Sequence, residues 1–239
     1  MLIRMKELIK KGRTYDLRFI RFRCTLTDSA EGIKKSVVYA LEKKGVPVPG
    51  DDILTLFIGP PIVDSLREHC GMNDAEAAET YGYFKERYET IGKFENRVYE
   101  DVERMLVTLR QTNTYVAVAT AKPQHLANEV IEHFGLTKYF EIIKGADAAR
   151  GITHKDDVLK EALAAMQEIS SNRTKKDITG WYMVGDRKYD MEAAKKLGCR
   201  AVAVTYGYGS REELENSGAD YLCDTPSDVI LNIAVDTLL

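Results

Sequence analysis

From Tyr99 onward the apolar positions alternate between two patterns: helical spacing and short unbroken runs. Helical spacing covers Val102 to Leu109, Leu126 to Phe134 (closed by Gly135), Asp156 to Ile169, Glu192 to Leu197 (stopped by Gly198), Arg211 to Ser217 and Val229 to Leu239. Between them lie the apolar runs Tyr115 to Ala119, Tyr139 to Ile143, Trp181 to Val184, Ala201 to Val204 and Tyr221 to Cys223. Helical period and unbroken run distinguish amphipathic helices from strands buried on both faces. Their alternation predicts a parallel sheet with helices on both sides, and a site at the carboxyl ends of the strands.

The first half of the chain reads differently. A strand is expected at Leu17 onward, then a helix from Glu31 to Lys44 that ends at Gly45-Val-Pro-Val-Pro-Gly50. From Asp51 to about Phe94 the spacing stays helical, with Ile53, Leu54, Phe57, Val63 and Leu66 followed by Tyr81, Tyr83, Phe84 and Tyr88. We read 32–96 as an all-helical insertion into the α/β core, and its aromatic stripe as ordinary helix packing. The opening Met1 to Lys11 is basic and amphipathic, without an apolar run long enough for a signal peptide or membrane span.

A length of 239 residues allows one large domain or two modest ones. The net charge of −3 and the lack of a long basic block speak against a nucleic-acid surface. Cys24, Cys70, Cys199 and Cys223 show neither metal-type spacing nor a disulfide framework, which suits a reducing cytoplasm.

In such a fold the polar residues at strand ends are the candidates for chemistry. Thr120-Ala-Lys-Pro123 follows one strand, and Val184-Gly-Asp-Arg-Lys-Tyr-Asp190 spans the end of another. Lys155 opens a helix in Gly151-Ile-Thr-His-Lys-Asp-Asp-Val158, where neighbouring His154 reads as a loop residue. Near the first strand stand Thr25-Leu-Thr-Asp-Ser-Ala-Glu-Gly-Ile33 and Ser36-Val-Val-Tyr-Ala-Leu41; further on come Phe57-Ile-Gly-Pro-Pro61, Val204-Thr-Tyr-Gly-Tyr-Gly-Ser210 and Gly218-Ala-Asp-Tyr221. Taken alone, Thr120 and Asp190 are also good helix caps, and Lys155 a good surface lysine.

Together these stretches resemble phosphatases of the haloacid dehalogenase superfamily, in its phosphoglycolate phosphatase and 5′-nucleotidase-like branch. The resemblance runs from about residue 15 to the C-terminus. It implies a Rossmann-like core of 15–31 and 97–239, a helical cap of 32–96 and an N-terminal extension of 1–14. It also implies that Thr120 and the N–H of Ala121 cradle phosphate oxygens, with Cys24, Thr25, Gly59 and Pro60 at the substrate. Lys155 would offset negative charge, and Asp186 and Asp190 would hold Mg²⁺, together with the backbone carbonyl of Arg23. The partner would be a small phosphorylated metabolite, with no nucleic acid or membrane involved, and the chain a monomer or homodimer.

The resemblance fails across residues 18 to 24. The family motif there reads Phe-Asp-hydrophobic-Asp-Gly, its first Asp the nucleophile and its second the general acid/base; this chain has Ile20-Arg-Phe-Arg-Cys24. Written as ATT CGA TTT CGA TGT, those codons read one base later give Phe-Asp-Phe-Asp. One restored G completes the Gly codon and returns the frame at Thr25, so a compensated pair of frameshifts, in the gene or in its sequencing, would account for the departure; a genuinely divergent sequence is the other reading. The arginines also break the apolar character of a central parallel strand. Arg21 thus stands at the nucleophile position and Arg23 at the acid/base position. A guanidinium is neither a nucleophile nor a base near neutral pH, so the chain as written is expected to be inactive, with Mg²⁺ binding in doubt. Arginine does suit phosphate oxygens, so the alternative expectation is a non-catalytic phosphate-ester binder.

Overall fold

The computed structural model describes residues 18–22, 25–111, 114–152, 155–174 and 180–235. The expectations for Met1 to Lys11, and those placed on Arg23, Cys24 and His154, lie outside the described residues.

Six strands form one parallel sheet: β1 (Arg18–Phe22), β4 (Thr114–Pro123), β5 (Ile142–Ala146), β6 (Gly180–Gly185), β7 (Arg200–Val204) and β8 (Tyr221–Cys223), in the order β5-β4-β1-β6-β7-β8. β1 is central. It pairs Ile20 with Val116 and Tyr182, Arg21 with Ala117 and Met183, and Phe22 with Val118 and Val184. Ala117, Ala119, Met183, Ala201 and Ala203 pack on helices α7 (Lys155–Thr174) and α8 (Lys188–Lys196). The alternate positions Val116, Val118, Tyr182, Val184, Val202 and Val204 are buried as well. Side chains of a strand alternate between faces, so both faces are covered, as the unbroken apolar runs require. Helices α5 (Val102–Arg110) and α10 (Pro226–Val235) pack on each other, and α9 (Arg211–Asn216) packs on α8.

Several elements differ in their bounds from the sequence expectation: β4, expected to end at Ala119, runs on through Thr120 to Pro123 with a shift of register after Ala119, and α8 starts at Lys188 rather than Glu192. Tyr139 lies in a 3₁₀ turn, Thr137–Tyr139, and the strand starts only at Ile142. The turn uses Tyr139 as a buried plug whose hydroxyl donates to Glu103 at 2.6 Å, an anchoring that an apolar run cannot reveal. The helix expected over Asp156 to Ile169 extends to Thr174.

Leu26–Tyr99 closes into its own compact unit; β1, Thr25 and the chain from Glu100 form the other. Within Leu26–Tyr99 stand α1 (Ala30–Lys44), α2 (Asp51–Leu56), α3 (Ile62–Cys70) and α4 (Asp74–Arg87), then a π-helical turn, Tyr88–Gly92. A two-stranded antiparallel ribbon of β2 (Thr27–Asp28) and β3 (Arg97–Val98) completes it. Asn73 caps α4 by accepting from the Ala75 and Glu76 N–H groups, and Glu76 reaches back to the Asn73 N–H, a capping box. The aromatic stripe is packing: Tyr81, Phe84 and Tyr88 stack in succession at 5.9 and 5.1 Å. Gly32 lies against the π turn, where a Cβ would come within 1.8 Å of the Gly92 carbonyl oxygen. That contact accounts for a glycine inside α1.

Arg87 ties this unit together by donating to both oxygens of Glu95, at 2.6 and 2.9 Å, with the two side chains 18% and 19% exposed. The guanidinium of Arg87 holds the Glu95 carboxyl below its usual range, against the opposing effect of desolvation and with help from Lys35. A depressed folded pKa gives stability that is complete above the unfolded value of about 4.3 and is lost as pH falls through the folded one. Glu95→Gln is expected to cost about 1.5–3 kcal/mol at neutral pH, and less in acid below the folded pKa of Glu95, where the parent has lost the same interaction. Urea melts at the two pH values check this; an undiminished difference at the lower pH would refute the assignment.

Candidate active site

β1 leaves the sheet between two loops that begin at the same level. Phe22 is in register with Val118 and Val184, and Thr120 and Asp186 each follow two residues later. The register therefore sets a hydroxyl and a carboxylate on either side of the end of β1, at the carboxyl end of the sheet. Thr25 belongs to the same unit, its carbonyl accepting from the Tyr206 hydroxyl at 3.2 Å. The Thr25 side chain is fully buried, and its Oγ1 has no hydrogen-bond partner among the described residues.

At Thr120 the β4–β5 pairing is interrupted between Ala119 and Pro123. Thr120 Oγ1 accepts from the Lys122 N–H at 3.2 Å. With a lone pair so engaged, the hydroxyl proton is left to donate, which suits an anionic oxygen. Gln124 secures the far side of this loop: its Oε1 accepts from the Gly145 N–H at 2.7 Å and its Nε2 donates to the Ile143 carbonyl at 3.0 Å.

Asp186 is 1% exposed and Asp190 fully buried. Tyr208 N–H donates to Asp186 Oδ2 at 3.0 Å, and Gly209 N–H to the Asp186 carbonyl at 2.9 Å. Asp190 stands in the first turn of α8, and its Oδ2 accepts from the Arg187 N–H at 3.3 Å, so it is a helix-capping group. Three glycines make room. A Cβ on Gly185 would come within 2.3 Å of Asp190 Cβ, one on Gly207 within 2.3 Å of Asp186 Cβ, and one on Gly209 within 2.2 Å of the Asp186 carbonyl oxygen.

Thr25, Thr120, Ala121, Asp186 and Asp190 thus stand at one end of the parallel sheet's unit, and Lys155 is the first residue of α7 in that unit. Gly59 and Pro60 belong to the other compact unit. They form the bend between α2 and α3 in the helical unit, with Gly59 at φ +111° and Phe57 and Ile58 buried beside it. Sequence reasoning gave no individual role to Tyr206, Gly207, Gly209 or Glu213. The signal available was the alternating glycines of Tyr206-Gly-Tyr-Gly209 directly after a strand.

Mg²⁺ takes oxygen donors and is commonly held by one or two carboxylates with water and substrate phosphate. Asp186 and Asp190 have the right chemistry and place. Among the described residues, however, no three of His, Cys, Asp and Glu gather into a metal-holding group, and the chain carries Arg21 and Arg23 where the family motif has carboxylates. The donor set of this chain does not fit a resident Mg²⁺. Nor does a thiol substitute as nucleophile at Cys223: burial pushes its pKa up to about 11, so it is protonated near neutrality.

A parallel sheet covered on both faces, with Thr120 and Asp186 toward the carboxyl ends of its strands, is an α/β architecture. The family model for haloacid dehalogenase-like hydrolases matches residues 22–204, and the chain belongs to that family. The match opens at Phe22, directly after Arg21. A 5′-nucleotidase of Pseudomonas aeruginosa is 32% identical over 199 residues, covering 83% of this chain and 86% of the relative. A phosphoglycolate phosphatase of Vibrio parahaemolyticus is 26% identical over 230 residues, covering 92% and 97%. The crystal structure of a predicted phosphatase from Clostridium acetobutylicum superposes with a TM-score of 0.80 at 34% identity, covering 92% of this chain and 98% of that one. No helix among the described residues is long and apolar enough to cross a membrane.

Proposed function

We propose that this chain is by descent a phosphoric monoester hydrolase for small phosphorylated metabolites, and that as written it binds the phosphate ester without hydrolysing it. The observation that carries this reading is position 21. It lies on the central strand, between fully buried Ala117 and Met183, and it holds an arginine. In the family mechanism a carboxylate oxygen attacks phosphorus and the alkoxide leaves, taking a proton from a second Asp. Water, giving its proton back to that Asp, then hydrolyses the aspartyl phosphate. Position 21 would supply the nucleophile and position 23 the acid/base group. In this chain neither residue performs those steps.

What remains is recognition. The Thr120 hydroxyl and the Ala121 N–H would contact phosphoryl oxygens, Lys155 would offset their charge, and Asp186 and Asp190 would balance the positive groups of the site. Phosphoryl transfer draws mainly on positioning and electrostatics, so the same residues serve binding once the nucleophile is gone. The relatives' names, 5′-nucleotidase and phosphoglycolate phosphatase, support a phosphate monoester as the ligand class.

The test is an assay of the chain as written with para-nitrophenyl phosphate and Mg²⁺, beside isothermal titration with inorganic phosphate. Turnover at the buffer rate, with measurable phosphate binding weakened in Thr120→Ala, is the expected result. Turnover that disappears in Asp186→Ala would refute the loss of hydrolysis.

A further inference from the structure

The first two residues after Asp186 are held by a carboxylate that has no part in the reading above. Arg187 occupies the N-cap of α8 in an extended conformation, and an arginine side chain has no acceptor for the first N–H groups of a helix. Glu213 provides the acceptor from another element. Its Oε1 accepts from the Lys188 N–H at 2.8 Å and from Arg187 Nε at 2.9 Å, with the two side chains 22% and 16% exposed. Glu213 is itself fixed, because Ser210 Oγ accepts its N–H at 3.0 Å as the cap of α9. Its negative charge lies at the start of α8, where the helix dipole favours it.

The segment from β7 to α9 thus holds Asp186 on three sides: Tyr208 at the carboxylate, Gly209 at the carbonyl and Glu213 at the two residues that follow. Without Glu213 the Asp186–Lys188 turn loses the contact that sets where it enters α8, and the Tyr208 and Gly209 contacts, left to hold Asp186 alone, loosen with it. We infer that Glu213 is a positioning residue that fixes the direction of the Asp186 carboxylate. The inference rests on the reading that Asp186 belongs to the phosphate-ester site.

Two measurements test it separately from that reading. In the chain as written, hydrogen exchange at the Tyr208 and Gly209 amides reports the hold on Asp186. About tenfold faster exchange in Glu213→Leu, with Glu213→Gln near the parent because an amide oxygen still accepts from Lys188, is expected on the scale of groups that orient site ligands. Unchanged exchange in Glu213→Leu overturns the inference. In the Arg21→Asp/Arg23→Asp/Cys24→Gly background, adding Glu213→Leu is expected to lower kcat by about 10–100-fold with little change in KM, while Glu213→Gln retains most of it. An unchanged kcat overturns the inference equally. A silent triple variant refutes the site reading, and the exchange result still decides Glu213. Should Glu213→Leu fail to fold, Glu213→Asp, one methylene short of Lys188, replaces it with the same expectations.

Discussion

Arg21→Asp/Arg23→Asp/Cys24→Gly in one chain is expected to hydrolyse para-nitrophenyl phosphate in the presence of Mg²⁺ at least about a thousandfold faster than the chain as written. The magnitude follows from what a nucleophile is worth: its removal from a hydrolase costs ~10⁴–10⁶ in kcat, and the remaining groups sustain only residual catalysis. The expectation depends on the surroundings being in place. β1 carries position 21 on the sheet's central strand, Thr120 and Asp186 start their loops at matching levels on both sides, and Tyr206 holds the Thr25 carbonyl. Two aspartates would also replace two guanidinium groups with oxygen donors of the kind that suit Mg²⁺. A folded triple variant that binds Mg²⁺ yet stays at the buffer rate would refute the roles given to Thr120 and Lys155.

Gly207→Ala in that restored chain is expected to reduce turnover by about a hundredfold or more. The new methyl carbon would stand 2.3 Å from Asp186 Cβ and 2.6 Å from its Oδ2, so the two must separate by about 1 Å to reach ordinary contact. A displacement of that size costs on the order of 10² in rate when it moves a group that must meet the reacting atoms in a set geometry. Overpacking typically costs ~1–3 kcal/mol in stability, so the variant should remain folded while its rate collapses. Steady-state kinetics beside a thermal melt separate the two effects; parental kcat in a folded Gly207→Ala chain would show that Asp186 does not require its present position.

The alternation of β4 to β8 with their helices was legible because strands covered on both faces must be apolar throughout, as at Val116 to Ala119 and Ala201 to Val204. The place of Asp186 at a strand's carboxyl end was legible because a glycine and an acid directly follow such a run. Glu213 was not. A glutamate in the first turn of a six-residue helix is an ordinary surface choice, and only the meeting of α8 and α9 gives it two specific donors. β2 and β3 were also illegible, since two-residue strands have no period to detect. Tyr139 misled the strand assignment because an aromatic next to Phe140 reads as strand until its hydroxyl is seen bound to Glu103.

β1 lies in the middle of the sheet, yet it precedes its partners in the chain, which arrive only around residues 116 and 182. The Leu26–Tyr99 unit has its own buried core and is synthesised in between. During synthesis the central strand must therefore wait, unpaired, while the helical unit folds and two later strands emerge to receive it. Distant pairings of this kind are slow to form and expose strand edges while they wait. A charged strand in that position lowers the risk of premature association and weakens the seam on which the finished sheet closes.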